Sequence, residues 1–168
     1  TTRPAPHGDA AVLETLAGPP NAAGLQRLWS VHVGDSFSDV PRSSGFYRFV
    51  ETVLHHGVTS GCGAGTFCPA DSTARDQMAV FVLVAREGAG YRPPDCGTPL
   101  FNDVPANSGF CRYVEELARR GVVGGCGNGN YCPSNPVTRE QLCVFVLRTL
   151  DPTFVPPACG TPVFSDLP

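Results

Sequence analysis

The sequence predicts a mainly α-helical protein built from tandem helix–loop–helix repeats, and three observations support that prediction. The stretch FSDVPRSSGFYRFVETVLHHGVTSGCGAGTFCP beginning at Phe37 returns as FNDVPANSGFCRYVEELARRGVVGGCGNGNYCP beginning at Phe101, 64 residues later. Its opening returns again as FSDLP at Phe164, after a further 63 residues. Each full copy holds an amphipathic pattern that stops at a glycine, followed by a second apolar run. Units of this size bury their apolar faces only by packing against neighbouring units.

The repeats divide the chain into four segments. We expect a leader over residues 1–36, a first repeat over 37–100, a second repeat over 101–163 and the start of a third over 164–168. The partial third repeat would leave apolar edges that another segment has to cover, because terminal repeats need a cap.

The leader is the candidate for this cover. Its stretch GDAAVLETLAG resembles the second helix of a repeat, with Val12, Leu13 and Leu16 as an apolar stripe before a Pro-Pro stop. A second short helix is predicted from Asn21 to Trp29. The leader would complete the third repeat either of its own chain, giving a closed monomer, or of the next chain, giving a head-to-tail assembly.

The first helix of each repeat follows from apolar residues on one face. The pattern predicts a helix from Gly45 to His56 that Gly57 ends, with a face made of Phe46, Val50, Val53 and Leu54. The second repeat has the same face and the same stop, at Phe110, Val114, Leu117, Ala118 and Gly121. An acidic residue four positions before a basic one, as in Glu51 with His55 and Glu115 with Arg119, is expected to support an exposed helix.

Periodicity alone does not decide whether the second element of each repeat is a helix or a strand. Its sequences, MAVFVLVA from Met78 and LCVFVLRTL from Leu142, are apolar nearly all round. A buried strand would fit the same pattern. Thr138 with Gln141 fits a capping box, and Thr73 with Asp76 is a weaker version of one, so helix is favoured. A helix that is apolar on all sides belongs at the centre of a bundle.

Eight cysteines indicate disulfides formed in an oxidising compartment. Cys62 with Cys68, and Cys126 with Cys132, bracket glycine-rich loops at the same place in the two repeats, and each pair is predicted to close its own loop. Four thiolates that converge on zinc across the repeats are the alternative. The absence of flanking His residues and of CxxC spacing argues against it.

The other four cysteines allow more than one connectivity. Cys96 and Cys159 each lie five residues before an FxD motif, whereas Cys111 and Cys143 occur in the second repeat only. We favour a bridge from Cys111 to Cys143, which leaves Cys96 and Cys159 to pair within or between chains. The competing scheme is local and pairs Cys96 with Cys111 and Cys143 with Cys159.

Composition excludes several classes of function. A net charge of −3 gives no electrostatic footprint for nucleic acid. No apolar run is long enough to cross a membrane, so we expect no membrane insertion. No nucleophile motif such as GxSxG occurs, so we expect no catalytic residues, and no cofactor or metal. The Asp of each FxDxP motif, at Asp39, Asp103 and Asp166, is expected to fix the turn that enters the first helix.

The repeat resembles the S-layer homology repeat. The features that it shares are FxDVP, a helix that ends in GV, a GCGxGxxCP segment, and TR followed by an acidic residue and Gln before an apolar helix. The resemblance implies a pseudo-threefold helical bundle whose grooves between repeats bind secondary cell-wall polysaccharide. It also implies that Arg75 and Arg139, in TARDQ and VTREQ, contact the polymer. A guanidinium can hold a carboxylate or a pyruvyl ketal through paired hydrogen bonds. The alternative role for each Arg is to pair with a neighbouring acidic side chain and lock the repeats together.

Three functions remain open from the sequence. We favour a non-catalytic extracellular structural protein of a bacterial cell surface, which assembles with copies of itself head to tail into a filament or lattice. The alternative is an anchor module that binds cell-wall polysaccharide. An enzyme or metalloprotein is a distant third.

Overall fold

The computed structural model describes residues 2–4, 10–16, 25–31, 35–158, 160 and 164–166. The elements in this part of the chain are three strands and four helices, in the order β1 (Thr2–Pro4), β2 (Ala10–Leu16), β3 (Leu25–Val31), α1 (Tyr47–His55), α2 (Arg75–Glu87), α3 (Cys111–Arg119) and α4 (Arg139–Leu150). Both repeats are helical, so the prediction of a mainly α-helical fold is confirmed for them.

The chain forms two compact units that do not coincide with the sequence repeats. The first unit is Thr1–Asp71 with Gly88–Gly90, and the second is Ser72–Glu87 with Tyr91–Pro168. The second helix of the first repeat, α2, therefore belongs to the same unit as the whole second repeat. A sequence repeat and a packing unit differ here by one helix.

The leader forms strands, and the prediction of two helices in it is wrong. β1, β2 and β3 pair antiparallel in that order, with Thr2 opposite Val12, Ala10 opposite Val31 and Leu16 opposite Leu25. The apolar stripe in this segment is short and fits the period of a helix as well as that of a strand. Two seven-residue segments separated by AGPPNAAG can pair as antiparallel strands and so satisfy each other's backbone hydrogen-bonding groups. The described part of the leader therefore contributes no helix to a third repeat.

Helix α1 ends where the sequence predicted. Gly57 has φ of +65°, the left-handed conformation of a C-terminal glycine, and its N–H donates to the carbonyl of Leu54 at 2.8 Å. Val50 and Leu54 are buried with Phe37 and Val40 in a small core. Phe46, which was assigned to this buried face, is instead 72% exposed. It precedes the first helical residue, so its side chain does not share the face of the helix proper.

The main core lies in the second unit, where α2 packs against α3 and α4. Its fully buried members come from all three helices and from the loops of the second repeat: Ala79, Leu83, Val104, Cys111, Val114, Leu117, Val122, Tyr131 and Phe145. The predicted central position holds for α2. Helix α4 differs, because Phe145 and Thr149 are its only buried residues within the described part of the chain.

The capping box of α4 is present as predicted. Thr138 accepts from the backbone N–H of Gln141, and the Gln141 side chain accepts in return from Thr138 N–H. In α2 the position that corresponds to Thr138 is Ala74, one residue after Thr73. Gln77 accepts from Ala74 N–H at 3.0 Å, so α2 has half of a box and uses Gln77 where Asp76 was expected.

Two glutamates expected on exposed helical surfaces are buried. The carboxylate of Glu51 accepts hydrogen bonds from the backbone and hydroxyl of Ser36 at 3.1 and 2.7 Å. Glu115 is the equivalent residue of the second repeat and accepts from Leu100 N–H at 2.7 Å. Each glutamate therefore ties its helix to the segment that leads into its repeat.

Three disulfides lie in the described part of the chain: Cys62–Cys68, Cys126–Cys132 and Cys96–Cys111. The first two close the glycine-rich loops, so their sulfurs are not available as thiolate ligands. The third replaces the bridge from Cys111 to Cys143 that the sequence favoured. Cys111 is buried at the start of α3, close to the segment that holds Cys96, whereas Cys143 is exposed on α4. Cys159 lies outside the described residues.

Candidate functional site

The start of α2 is joined to the loop before α4 by backbone hydrogen bonds. Arg75 N–H donates to the carbonyl of Asn135 at 3.0 Å, and Val137 N–H donates to the carbonyl of Thr73 at 2.9 Å. The Thr73–Arg75 segment of the first repeat is therefore held against the segment that follows the glycine-rich loop of the second. These contacts fix where the Arg75 side chain can lie.

Arg75 is 8% exposed, and its guanidinium packs between two aromatic rings. Its carbon Cζ lies 4.8 Å from the centre of the Tyr131 ring and 5.7 Å from that of Phe145. Its Nε donates to the carbonyl of Tyr131 at 2.9 Å, while the Tyr131 hydroxyl donates to the carbonyl of Arg75 at 2.9 Å. Burial raises the pKa of Tyr131, so this hydroxyl stays a neutral donor. Arg75 thus has the structural role considered from the sequence, with aromatic and carbonyl partners in place of a carboxylate.

A groove of about 240 Å³ opens beside Arg75. Its polar wall includes Gln141 and Arg148 from α4, together with the backbone of Gly124 and Gly125. Within the described part of the chain, Nε is the only guanidinium nitrogen of Arg75 with a hydrogen-bond acceptor, and Arg148 has no carboxylate partner. Among the residues that the structure describes, no Asp or Glu lines this groove. Two positive charges therefore border a groove whose described lining has no acidic side chain.

The sequence of α4 places one wall of this groove. Gln141, Val144 and Arg148 lie three and then four residues apart, which puts them on one face of the helix. Another part of the lining comes from Gly124 and Gly125, and its shape depends on glycine. Gly125 has φ of +84°, and a Cβ there would lie 2.4 Å from the carbonyl oxygen of Asn130. A larger residue would change the wall.

In the two full repeats, the Asp of the FxDxP motif holds a glycine-rich loop, which is a longer-range role than the predicted turn. Asp103 accepts from the backbone N–H groups of Tyr131 and Cys132, both at 2.8 Å. Asp39 accepts from the corresponding groups of the first repeat, Phe67 and Cys68, at 2.8 and 2.7 Å. These hydrogen bonds lower the pKa of Asp39. Asp103 therefore fixes the loop that carries Tyr131, and through it the position of Arg75.

Arg139, the equivalent of Arg75, has different surroundings. It is exposed at the start of α4 and lines a separate groove of about 460 Å³ with Glu140, Cys143, Phe164 and Asp166. The two arginines assigned to polymer binding thus border different grooves, and among the described residues only Arg75 is packed against a following loop. Asp166 lines the groove of Arg139, and its carboxylate makes no hydrogen bond within the described residues.

Arg148 was missed by the sequence reasoning. Arg148 does not recur at the repeat spacing, because the residue of α2 that corresponds to it is Val84. The sequence does contain a signal for Arg148. It is a basic residue in an otherwise apolar helix, seven residues after Gln141 and on the same helical face.

Comparison with known proteins supports the repeat assignment. Residues 36–79 and 100–143 each match the S-layer homology domain, and together they are more than half of the chain. This protein belongs to the S-layer homology family. The two matches cover FxDxP, α1 or α3, the glycine-rich loop and the start of α2 or α4.

Three curated relatives have S-layer homology regions similar to this chain. An endoglucanase of Bacillus sp. (strain KSM-635) is 28% identical over 115 residues, which is 68% of this chain and 12% of that protein. An amylopullulanase of Thermoanaerobacterium thermosulfurigenes is 26% identical over 117 residues, 68% of this chain and 6% of that protein. The surface-layer 125 kDa protein of Lysinibacillus sphaericus is 25% identical over 120 residues, 69% of this chain and 10% of that protein. The chain therefore matches only a small part of each relative.

Membership in this family places the protein at the bacterial cell surface. The three disulfides agree with that location, because they form in oxidising compartments. Among the described residues, no helix is both long enough and apolar enough to span a membrane.

Proposed function

We propose that this S-layer homology chain is a non-catalytic module that holds a protein at the cell surface by binding an acidic cell-wall polysaccharide. The observation that supports this function is the groove bordered by Arg75 and Arg148. Within the described part of the chain, the two guanidinium groups there have donors without protein acceptors, and the lining includes no acidic side chain. Guanidinium donors bind carboxylates and phosphates strongly.

Arg75 serves two purposes in this proposal. Its Nε and its ring contacts hold α2 against the Tyr131 loop, while its terminal nitrogens remain for a ligand. Arg148 is the freer of the two cations. Arg139 lies at the other groove. It would contact the polymer, as the family resemblance implies, only where a further repeat packs against α4 in the way that the Tyr131 loop packs against α2.

Co-sedimentation with purified sacculi of the producing bacterium tests this function. The chain is expected to pellet with native sacculi and to stay in solution with sacculi stripped of their secondary polysaccharide. Addition of salt should weaken the binding, because the interaction is between charges. Equal recovery of the chain with native and stripped sacculi would contradict the proposal.

Self-association is a second candidate, and the exposed face of α4 favours it. Ala79 and Leu83 of α2 are fully buried, but the equivalent residues of α4 are Cys143, which is exposed, and Leu147, which is 41% exposed. A corresponding difference occurs in the first helices, where Tyr113 packs against the core while its equivalent Phe49 is 72% exposed. The α4 face of one copy and the α1 face of another would reproduce the contact between α2 and α3. Such a contact, or a third repeat, would extend the helical bundle toward the pseudo-threefold form.

Sedimentation velocity over a wide concentration range tests this second candidate. The chain should increase in mass with concentration, and Leu147→Glu should abolish the increase. Leu150→Glu is the matched control, because the residue of α2 that corresponds to Leu150 is the exposed Arg86. A chain that stays monomeric at every concentration would exclude self-association and leave the anchor function unaffected.

A further inference from the structure

The two glycine-rich loops differ in one hydrogen bond. In the first loop, Gly61 N–H donates to the hydroxyl of Thr59 at 3.1 Å. In the second loop the residue that corresponds to Thr59 is Val123, whose side chain has no atom that can accept a hydrogen bond. The N–H of Gly125, the equivalent of Gly61, accordingly has no hydrogen-bond acceptor among the described residues. The substitution of one residue therefore leaves a backbone donor unused.

This unused donor lies at the groove of the proposed function. Val123, Gly124 and Gly125 all line it, and Gly125 is half-buried. A partly buried N–H without a partner is costly unless a ligand or water supplies an acceptor. Because Gly125 has no side chain, a ligand can approach its N–H closely.

A second difference between the repeats is found in the same groove. Arg148 on α4 takes the place of Val84 on α2, which adds a guanidinium to this wall. One change adds a cation and the other frees a backbone N–H. Both changes suit the same kind of ligand group, a compact anion with several acceptor oxygens.

We propose that Gly125 N–H and the Arg148 guanidinium form the subsite that takes the acidic group of the polysaccharide, a carboxylate or a phosphate. Val123 is a positioning residue, because it keeps the N–H of Gly125 available. Arg75 borders the same groove and orients the loop. This inference rests on the proposed function, since it names the part of the groove that selects an acidic polymer.

The substitution Val123→Thr tests the subsite directly. It restores the hydroxyl that the first loop has, so the new side chain should accept from Gly125 N–H as Thr59 accepts from Gly61 N–H. The loss of one hydrogen bond to a charged group predicts about tenfold weaker binding to native sacculi. Val123→Ala removes the same apolar contact without adding a hydroxyl and should bind like the wild type.

The matched control in the other repeat is Thr59→Val. It frees the N–H of Gly61 in the first loop, which is not among the residues that line the groove, and should leave binding to sacculi unchanged. The geometry also predicts coupling between the two subsite residues. Arg148→Val should weaken binding by tenfold or more, and Val123→Thr should have less effect in that background than in the wild type.

Two chemical treatments distinguish the acidic groups. Amidation of carboxyl groups with a carbodiimide and an amine should abolish binding if the subsite takes a carboxylate. Hydrofluoric acid cleaves phosphodiesters, so treatment of polysaccharide already released from the sacculi should abolish binding if the ligand is a phosphate. In the treatment that abolishes binding, the Val123→Thr variant should lose its difference from the wild type.

The results separate the two levels of the proposal. If Arg148→Val weakens binding while Val123→Thr, with an unchanged circular dichroism spectrum, binds like the wild type, the Gly125 subsite is wrong and the anchor function stands. If Val123→Ala is as weak as Val123→Thr, the effect belongs to the lost apolar contact and the subsite is again wrong. If the wild type does not bind native sacculi, both the subsite and the anchor function are overturned.

Discussion

Arg75 and Tyr131 exchange hydrogen bonds across 56 residues of sequence: the Arg75 Nε donates to the Tyr131 carbonyl, and the Tyr131 hydroxyl donates to the Arg75 carbonyl, each at 2.9 Å. The guanidinium also lies over the Tyr131 ring. This pair joins the second helix of one repeat to the glycine-rich loop of the next. The residue that the family resemblance assigned to ligand binding is therefore also part of the contact between repeats.

Replacement of Arg75 should destabilise the fold. Arg75→Ala removes a buried hydrogen bond and two cation–π contacts, for which we expect a loss of about 3 kcal/mol in the free energy of unfolding. Arg139→Ala is the matched control at the equivalent, exposed position, with an expected change within about 0.5 kcal/mol. Urea denaturation measures both values. Equal losses for the two variants would show that the Arg75 contacts do not stabilise the unit.

Stability should decrease in acid through Glu116. Burial raises the pKa of this carboxyl, but hydrogen bonds from Arg120 at 2.7 Å and Tyr91 at 2.9 Å outweigh it and hold the pKa below its ordinary value of 4.5. A carboxyl with a lowered folded-state pKa stabilises the protein above the unfolded-state pKa. That stabilisation is lost as the pH falls from 4.5 through the lower folded-state value.

The variant Glu116→Gln isolates this contribution. It should be less stable than the wild type at neutral pH, and the difference between the two should shrink as the pH falls below 4.5. Thermal unfolding followed by circular dichroism between pH 2 and pH 7 measures the difference. A difference that stays constant over that range would contradict the assignment to ionised Glu116.

The disulfide between Cys96 and Cys111 should stabilise the second unit. The bridge spans 15 residues, so the double variant Cys96→Ala with Cys111→Ala is expected to lose about 3 kcal/mol by the chain-entropy estimate. Cys143→Ala should leave this stabilisation unchanged, because Cys143 takes no part in the bridge between Cys96 and Cys111. Peptide mapping under non-reducing conditions checks the pairing itself. A peptide that joins Cys111 to Cys143 would refute it.

The sequence predicted those features that local chemistry decides. The stop at Gly57 and the capping box of Thr138 with Gln141 depend on residues within one turn of each other, and both are present. The leader was mispredicted, because a short apolar stripe fits two periods and only the pairing of β2 with β3 decides between them. Pairing between distant segments is not visible in a local pattern.

The candidate site was predicted only in part for a similar reason. Arg75 was identified from its motif, but its burial depends on Tyr131 and Phe145, which follow 56 and 70 residues later. Arg148 does not recur between the repeats, so their common motif does not point to it. The differences between the repeats carried more information about this groove than their common motif did.

The most direct test of the anchor function is a titration of the isotope-labelled chain with the released cell-wall polysaccharide, followed by amide and guanidinium resonances in NMR spectra. The groove predicts shifts in the amides of Val123, Gly124 and Gly125 and in the Nε resonances of Arg75 and Arg148. Resonances of Thr59 and Gly61 should stay in place as internal controls. Shifts confined to the groove around Arg139 and Asp166, or no shifts at saturating polysaccharide, would contradict it.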